Sequence, residues 1–184
     1  MCRHPGRRVA GERGFTLVEL AVTVAVLAIL CAMAVPSFTG LVRSNRLSGT
    51  ANDLIVAFQT ARSEAIKLNG SVSLCRSDDG TTCTSGSAWT SVAIVDRDGT
   101  VLRSMTLSPG LDITGDAALQ GMEDTITFGS DGIARDSSGA PVAATVSICM
   151  PVSNPEQNIR LVSITGGSRI SITRASGNGA CGGA

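Results

Sequence analysis

Hydrophobic positions follow three different rules along this chain. From Phe15 to Val35, 21 residues carry one charge, Glu19, and Pro36 closes the run. As helix such a run is roughly 32 Å long, enough to cross the ~30 Å hydrocarbon core of a bilayer. Beyond Pro36 the apolar residues step by three or four: Leu47, Ala51, Leu54, Phe58, Ala61, Ala65 and Leu68, with Ile55 and Ile66 widening the stripe. Arg46, Asn52, Asp53, Gln59, Arg62, Glu64 and Lys67 take the other positions. This predicts an amphipathic helix packed on its own globular domain. Asn69-Gly70 is its stop signal. Pro36 lacks an N–H and is expected to bend or loosen the helix.

After Gly70 the period becomes two. Strands are expected at 71–76, 88–95, 100–107, 111–114, 125–128, 143–150, 159–165 and 168–174. Turn signals divide them at Asp78-Asp79-Gly80, Asp96-Arg97-Asp98-Gly99, Ser108-Pro109-Gly110, Ser130-Asp131-Gly132 and Gly166-Gly167. One long helix followed by short antiparallel strands gives an α+β fold, the amphipathic half of the helix covering a sheet face. The expected organisation is a leader at 1–14, a membrane helix at 15–35, an amphipathic helix at 36–69 and a β-rich head at 70–184. The glycine-rich end, 176–184, is expected to be loose apart from Cys181.

Charge sharpens the reading of the N-terminus. Residues 1–14 hold Arg3, Arg7, Arg8 and Arg13 against Glu12. A basic flank stays cytoplasmic, so the helix inserts with its C-terminal side outside. The whole chain has 15 basic and 15 acidic residues; without the leader, 11 and 14 remain, a net charge of −3. That balance does not indicate a broad electrostatic footprint for nucleic acid. An acid buried among apolar residues in a membrane is unfavourable, and Glu19 calls for a partner.

The stretch Gly14-Phe15-Thr16-Leu17-Val18-Glu19, the apolar run and Pro36 together resemble the N-terminus of type IV prepilins and pseudopilins. The resemblance implies cleavage between Gly14 and Phe15 by a prepilin peptidase and N-methylation of Phe15. It makes Glu19 the assembly acid, partnered by the N-terminal amine of a neighbouring subunit, and Pro36 the helix-kinking proline. It also implies a single-pass inner-membrane protein, N-terminus cytoplasmic and head periplasmic, that later joins a pilus. Competing signals are weaker. A signal-peptide site at Ala32-Met33-Ala34 would follow an overlong run containing Glu19. A lipoprotein reading of Cys31 has Leu30 before it, and Val9-Ala10-Gly11 does not continue a twin-arginine signal from Arg7-Arg8. The first residue of the exported chain separates these: Phe15 for a prepilin, Val35 or Cys31 otherwise.

Of six cysteines, Cys2 falls in the leader and Cys31 in the apolar run. The other four allow three pairings. Cys75–Cys83, closing a Gly/Asp/Thr-rich loop, and Cys149–Cys181, tying down the tail, are favoured, as an oxidising periplasm permits. Zinc is the alternative, but the spacing is poor and the one histidine, His4, lies in the leader.

The head resembles the GspH/FimT family, its FimT- and FimU-like minor pilins in particular. The likeness rests on 45–69, Leu74-Cys75-Arg76-Ser77-Asp78-Asp79-Gly80 with Cys83 and Trp89, the Asp96-Arg97-Asp98-Gly99 turn, Ile148-Cys149, Asn158-Ile159-Arg160-Leu161-Val162 and 166–174. It implies a low-copy type IV pilus subunit near the filament tip that helps prime assembly with other minor pilins and the major pilin. A type II secretion pseudopilin of the GspH type is the alternative.

No catalytic constellation stands out. Beyond residue 14 there is no histidine, which removes histidine-dependent triads, and no cofactor motif occurs. Asp96-Arg97-Asp98-Gly99 begins like a calcium loop but lacks the distal ligands, so no metal site is expected. Trp89 is expected to be half-buried core. Some FimT-like proteins bind DNA through a Gly-Arg-x-Arg element, which the stretch Gly167-Ser168-Arg169-Ile170-Ser171 resembles. Ser171 stands where the second arginine belongs, and Arg174 falls on the opposite strand face by parity. A pilus-associated DNA receptor using Arg169 and Arg174 is therefore an alternative with weak support.

Overall fold

The computed structural model describes residues 14–182, of which 33–37 are described by backbone alone. Residues 1–13, where a leader is expected, and the side chain of Pro36 lie outside the described residues. Two units are distinguished, up to Phe38 and from Thr39 onward. Helix α1, Leu17–Lys67, contributes to both.

In the first unit Thr16 opens the helix. Its hydroxyl accepts from the Glu19 amide at 3.2 Å and its carbonyl accepts from the Leu20 amide at 3.1 Å. Thr16 thereby satisfies one of the amides that a helix start leaves bare. Every described side chain from Phe15 to Ala32 is exposed. Among the described residues, no helix is long and apolar enough to cross a membrane.

In the second unit Leu47, Ala51, Leu54, Phe58, Ala61 and Ala65 are buried, as their spacing requires. Ile66 and Leu68, expected on the same stripe, are about half exposed (51% and 50%). Ile66 lies beside fully buried Ala65 at the margin of the stripe, and Leu68 falls beyond the last helical residue, Lys67. There Asn69 takes φ +47°, its amide donates to Ile66 and the Gly70 amide donates to Ala65, which ends the helix. Asparagine, not glycine, occupies the left-handed position.

The strands are β1 Val72–Ser77, β2 Ser91–Asp96, β3 Val101–Thr106, β4 Asp112–Gly115, β5 Thr125–Phe128, β6 Ala134–Arg135, β7 Ala144–Cys149, β8 Ile159–Thr165 and β9 Arg169–Ala175. A one-turn helix, α2 at Ala117–Gln120, is capped by Asp116, whose carboxylate accepts from the Leu119 amide. The sequence pattern predicts eight strands; β6 is the ninth, two residues long and too short to show a period. The strands form two antiparallel sheets, ordered β3-β2-β1-β5-β6 and β4-β7-β8-β9.

Alternation decides what each strand buries. Val72 and Leu74 of β1, Ile126 and Phe128 of β5, Val146 and Ile148 of β7, and Val162 and Ile164 of β8 join the α1 stripe in one core. The opposite face of β1 and β2 carries a smaller cluster of Cys75, Ala93 and Val95, next to the Cys75–Cys83 loop. The sheets meet where the β8–β9 turn reaches β6. Gly167, at φ +70°, gives its carbonyl to the Ala134 amide and its own amide to Val142.

Candidate assembly surface and its supports

Helix α1 runs beside β8 and is held at two places by arginines. At one end Arg160, 1% exposed, donates from Nη2 to Ser44 Oγ at 3.0 Å and from Nε to Ser48 Oγ at 3.3 Å. Its Nη1 donates to the carbonyls of Gln157 and Ile159. Among the described residues no carboxylate bonds it. Burial, with Arg174 opposite it in β9, holds its pKa below the usual arginine range. At the other end Arg62 Nη1 donates to the Ser168 carbonyl at 3.4 Å. Arg43 Nη1 reaches the Asn154 carbonyl at 3.0 Å. Gly40 lies against the Asn154 side chain so closely that a Cβ there would collide with it. The serines at 44 and 48 are one helical turn apart and so share a face. The polar ladder is invisible in the sequence, where Arg160 reads as one more strand residue.

The loop joining β1 to β2 is organised around Arg76. Cys75 and Cys83 are bonded across 5.5 Å between Cα atoms. Arg76, mostly buried, pairs with Asp78 (Nη2 to Oδ1, 2.6 Å) and donates to Thr84 Oγ1 at 2.6 Å and to the Ala88 and Ser85 carbonyls. Asp79 accepts from the Thr81 and Thr82 amides and from the Thr81 hydroxyl. These donors, the Thr81 hydroxyl foremost, hold the Asp79 carboxyl far below the usual range. The Asp78-Asp79-Gly80 turn is thus also half of an ion pair. Next to it Asp124, 2% exposed, accepts from the Gly86 amide through one oxygen, while its other oxygen has no partner among the described residues.

Trp89 is 3% exposed, a core residue as expected but more deeply buried than the half-burial read from sequence. Its amide donates to the Ile113 carbonyl and so stitches the first sheet to the second, while its indole N–H is unpartnered among the described residues. The Asp96 carboxylate accepts from the Asp98 and Thr100 amides, closing the β2–β3 hairpin. Among the described residues no three His, Cys, Asp or Glu side chains are placed to hold a metal ion.

Cys149 and Cys181 are bonded, and the tail they hold is tighter than its glycine content suggests. Buried Asn158 accepts from the Gly177 amide at 2.7 Å and donates to the Met150 carbonyl at 2.9 Å and the Ala180 carbonyl at 3.3 Å. A single side chain therefore replaces the backbone pairs that the tail cannot make as strand.

The other sequence-derived site residues are not gathered together. Gly14 and Phe15 precede α1 and Glu19 lies in its first turn, all three exposed, and the Glu19 carboxylate has no partner among the described residues. Thr16-x-x-Glu19 has the spacing of a helix capping box, a signal present in the sequence that adds a local structural duty for Thr16. Arg169 faces Thr165 at one end of β9 and Arg174 faces Arg160 near the other, on opposite faces. That separation argues against one compact arginine clamp.

Comparison with known proteins follows this geometry. The family described as "Type II transport protein GspH" matches residues 50–174, and the one described as "Prokaryotic N-terminal methylation motif" matches residues 10–35. The fold is similar to that of the type IV minor pilin FimU of Pseudomonas aeruginosa, with TM-score 0.52 and 23% identity over 71% of this chain and 90% of that one. The minor pseudopilin EpsH of the Vibrio cholerae type 2 secretion system is 13% identical over 70% of this chain and 97% of that one, with TM-score 0.47. No curated protein sequence matches significantly. With two-thirds of its length matched and an N-methylation motif ahead of that match, the chain belongs to the GspH/FimT family of type IV minor pilins and pseudopilins.

Proposed function

We propose that this chain is a minor pilin of a type IV pilus, made as a precursor and cut between Gly14 and Phe15 by a prepilin peptidase. Phe15 is then N-methylated. Residues 15–35 hold the subunit in the inner membrane, head outside, until the helix moves into the filament core. Residues 36–69 continue that helix into the head at 70–184, with Pro36 as the bend. The subunit is structural, not catalytic, and sits at or near the tip, where it primes assembly with other minor pilins and the major pilin.

One observation carries the reading: an N-methylation motif leads into a helix whose described side chains, Phe15 to Ala32, are exposed on every face. Exposed apolar surface of that extent is stable only in lipid or against other apolar helices. Glu19 lies in the first turn, four residues beyond the amine that cleavage would create. An amine from a neighbouring subunit gives that acid a partner and fixes axial register.

Glu19→Ala should be processed and methylated normally yet be missing from sheared filaments. Normal incorporation of that variant overturns the role of Glu19. N-terminal sequencing that starts anywhere but Phe15 overturns the prepilin reading itself.

The description attached to the matched family favours a second reading, a type II secretion pseudopilin. Co-purification with sheared surface pili supports the first; a secretion defect with intact pili supports the second. A DNA receptor built on Arg169 and Arg174 has less support, because the two side chains lie on opposite faces of β9.

A further inference from the structure

Four strands form the edges of the two sheets: β3 and β6 in one, β4 and β9 in the other. Two of them are closed. Ile113 in β4 accepts the Trp89 amide, and β6 bridges to Pro141 while the Ala134 carbonyl accepts from Val142. The longer of the two remaining edges is β9, whose seven residues pair, among the described residues, with β8 alone. A strand pairs on two sides, so β9 offers a row of backbone donors and acceptors on its outer side.

Its side chains select what can pair there. Ile170 and Ile172, opposite Ile164 and Val162, are half-buried and leave apolar surface beside the open edge. Arg169, Ser171 and Thr173 point to the other face and are exposed. Residues 157–184 contain no acid and three arginines, Arg160, Arg169 and Arg174. Residues 15–156 hold the other 8 basic and all 14 acidic side chains of the exported chain, a net −6. Arg160 is buried under α1, so Arg169 and Arg174 are the exposed charges of this acid-free hairpin on an otherwise acidic protein. A second copy supplies no open acidic edge: β4, which carries Asp112, is closed at Ile113, β3 carries Arg103 and no acid within the strand, and β9 against β9 sets arginines near arginines.

We propose that β9 is a docking edge for an extended acidic segment of another polypeptide, added to the second sheet as a fifth strand. Arg169 and Arg174 are five residues apart and on opposite faces, roughly 17 Å along the strand. The incoming segment pairs antiparallel, with two carboxylates five residues apart and apolar side chains at the positions facing Ile170 and Ile172. Backbone pairing provides adhesion, the arginines reject basic strands and further copies of this chain, and the carboxylates fix register. The inference goes beyond the pilin reading and stands on the head alone.

The test uses the full processed chain in detergent and two synthetic hexapeptides, acetyl-Glu-Thr-Val-Thr-Val-Glu-amide and its counterpart with lysine at both ends. Amide hydrogen exchange of residues 169–175 is read with and without peptide. The acidic peptide should protect β9, the lysine peptide should not, and affinity should fall about tenfold or more with Arg169→Glu and Arg174→Glu combined or with a rise to high salt. Unchanged exchange in β1 and β7 of that variant shows that the head remains folded. Equal binding of both peptides, protection elsewhere than β9, a peptide-independent dimer through β9, or protection by a single-stranded oligonucleotide but not by the acidic peptide each overturns the proposal.

Discussion

Arg160 Nη2 donates to Ser44 Oγ across 3.0 Å of space and 116 residues of sequence. With Ser48 one turn on, the pair fixes where the amphipathic half of α1 meets β8. A buried guanidinium with four neutral partners and no carboxylate is costly to desolvate, and its value lies in placing the helix.

Removing the arginine therefore has two outcomes. Arg160→Ala leaves a cavity and orphaned hydroxyls and carbonyls, and should cost about 2–4 kcal/mol. Arg160→Met keeps most of the volume without the buried charge, and should cost clearly less. Urea unfolding of the two variants compares them; equal losses would show that the hydrogen bonds, and not volume, dominate.

The two disulfides close loops of different length, with sequence separations of 8 and 32. Loop-closure entropy assigns about 2.5 kcal/mol to the shorter and about 3.7 kcal/mol to the longer. Cys149→Ala with Cys181→Ala should thus lower the unfolding midpoint more than Cys75→Ala with Cys83→Ala. The reverse order would mean that Asn158 already holds the tail without its bond.

Gly166 and Gly167 are both left-handed, at φ +58° and +70°, yet they differ. A Cβ on Gly166 meets open space, and Gly166→Ala should cost only the conformational strain, about 1–2 kcal/mol. A Cβ on Gly167 runs into the Ala134 carbonyl and the Ile133 side chain. Gly167→Ala should therefore cost more and loosen the junction of the two sheets. Thermal unfolding, with exchange at the Ala134 amide, reads both effects.

Asp79, Asp131 and Asp136 are each held below the ordinary carboxylate range. The donors, largest first, are the Thr81 hydroxyl for Asp79, Arg135 for Asp131 and the Ser138 hydroxyl for Asp136. A carboxyl depressed in the folded state adds stability above its unfolded value, near 4, and loses it as pH falls through the lower folded value. These three turns should stay closed at neutral pH and loosen only below about pH 4. Carboxyl titration by NMR checks this; ordinary midpoints would show that the turns do not favour the charged forms.

Much of this protein was legible before any coordinates. The change from a nearly charge-free run to a three-and-four stripe and then to alternation located α1 and eight of the nine strands among the described residues, because each period follows from the local geometry of helix or strand. The N-terminal methylation motif and Glu19 were readable for the same reason: they are contiguous. The chain alone could not reveal that Arg160 finds Ser44, that Asn158 holds the tail, how deeply Trp89 is buried, or that β9 is an open edge. Those depend on which distant segments become neighbours, and side-chain partners and sheet edges exist only once the strands have taken their order.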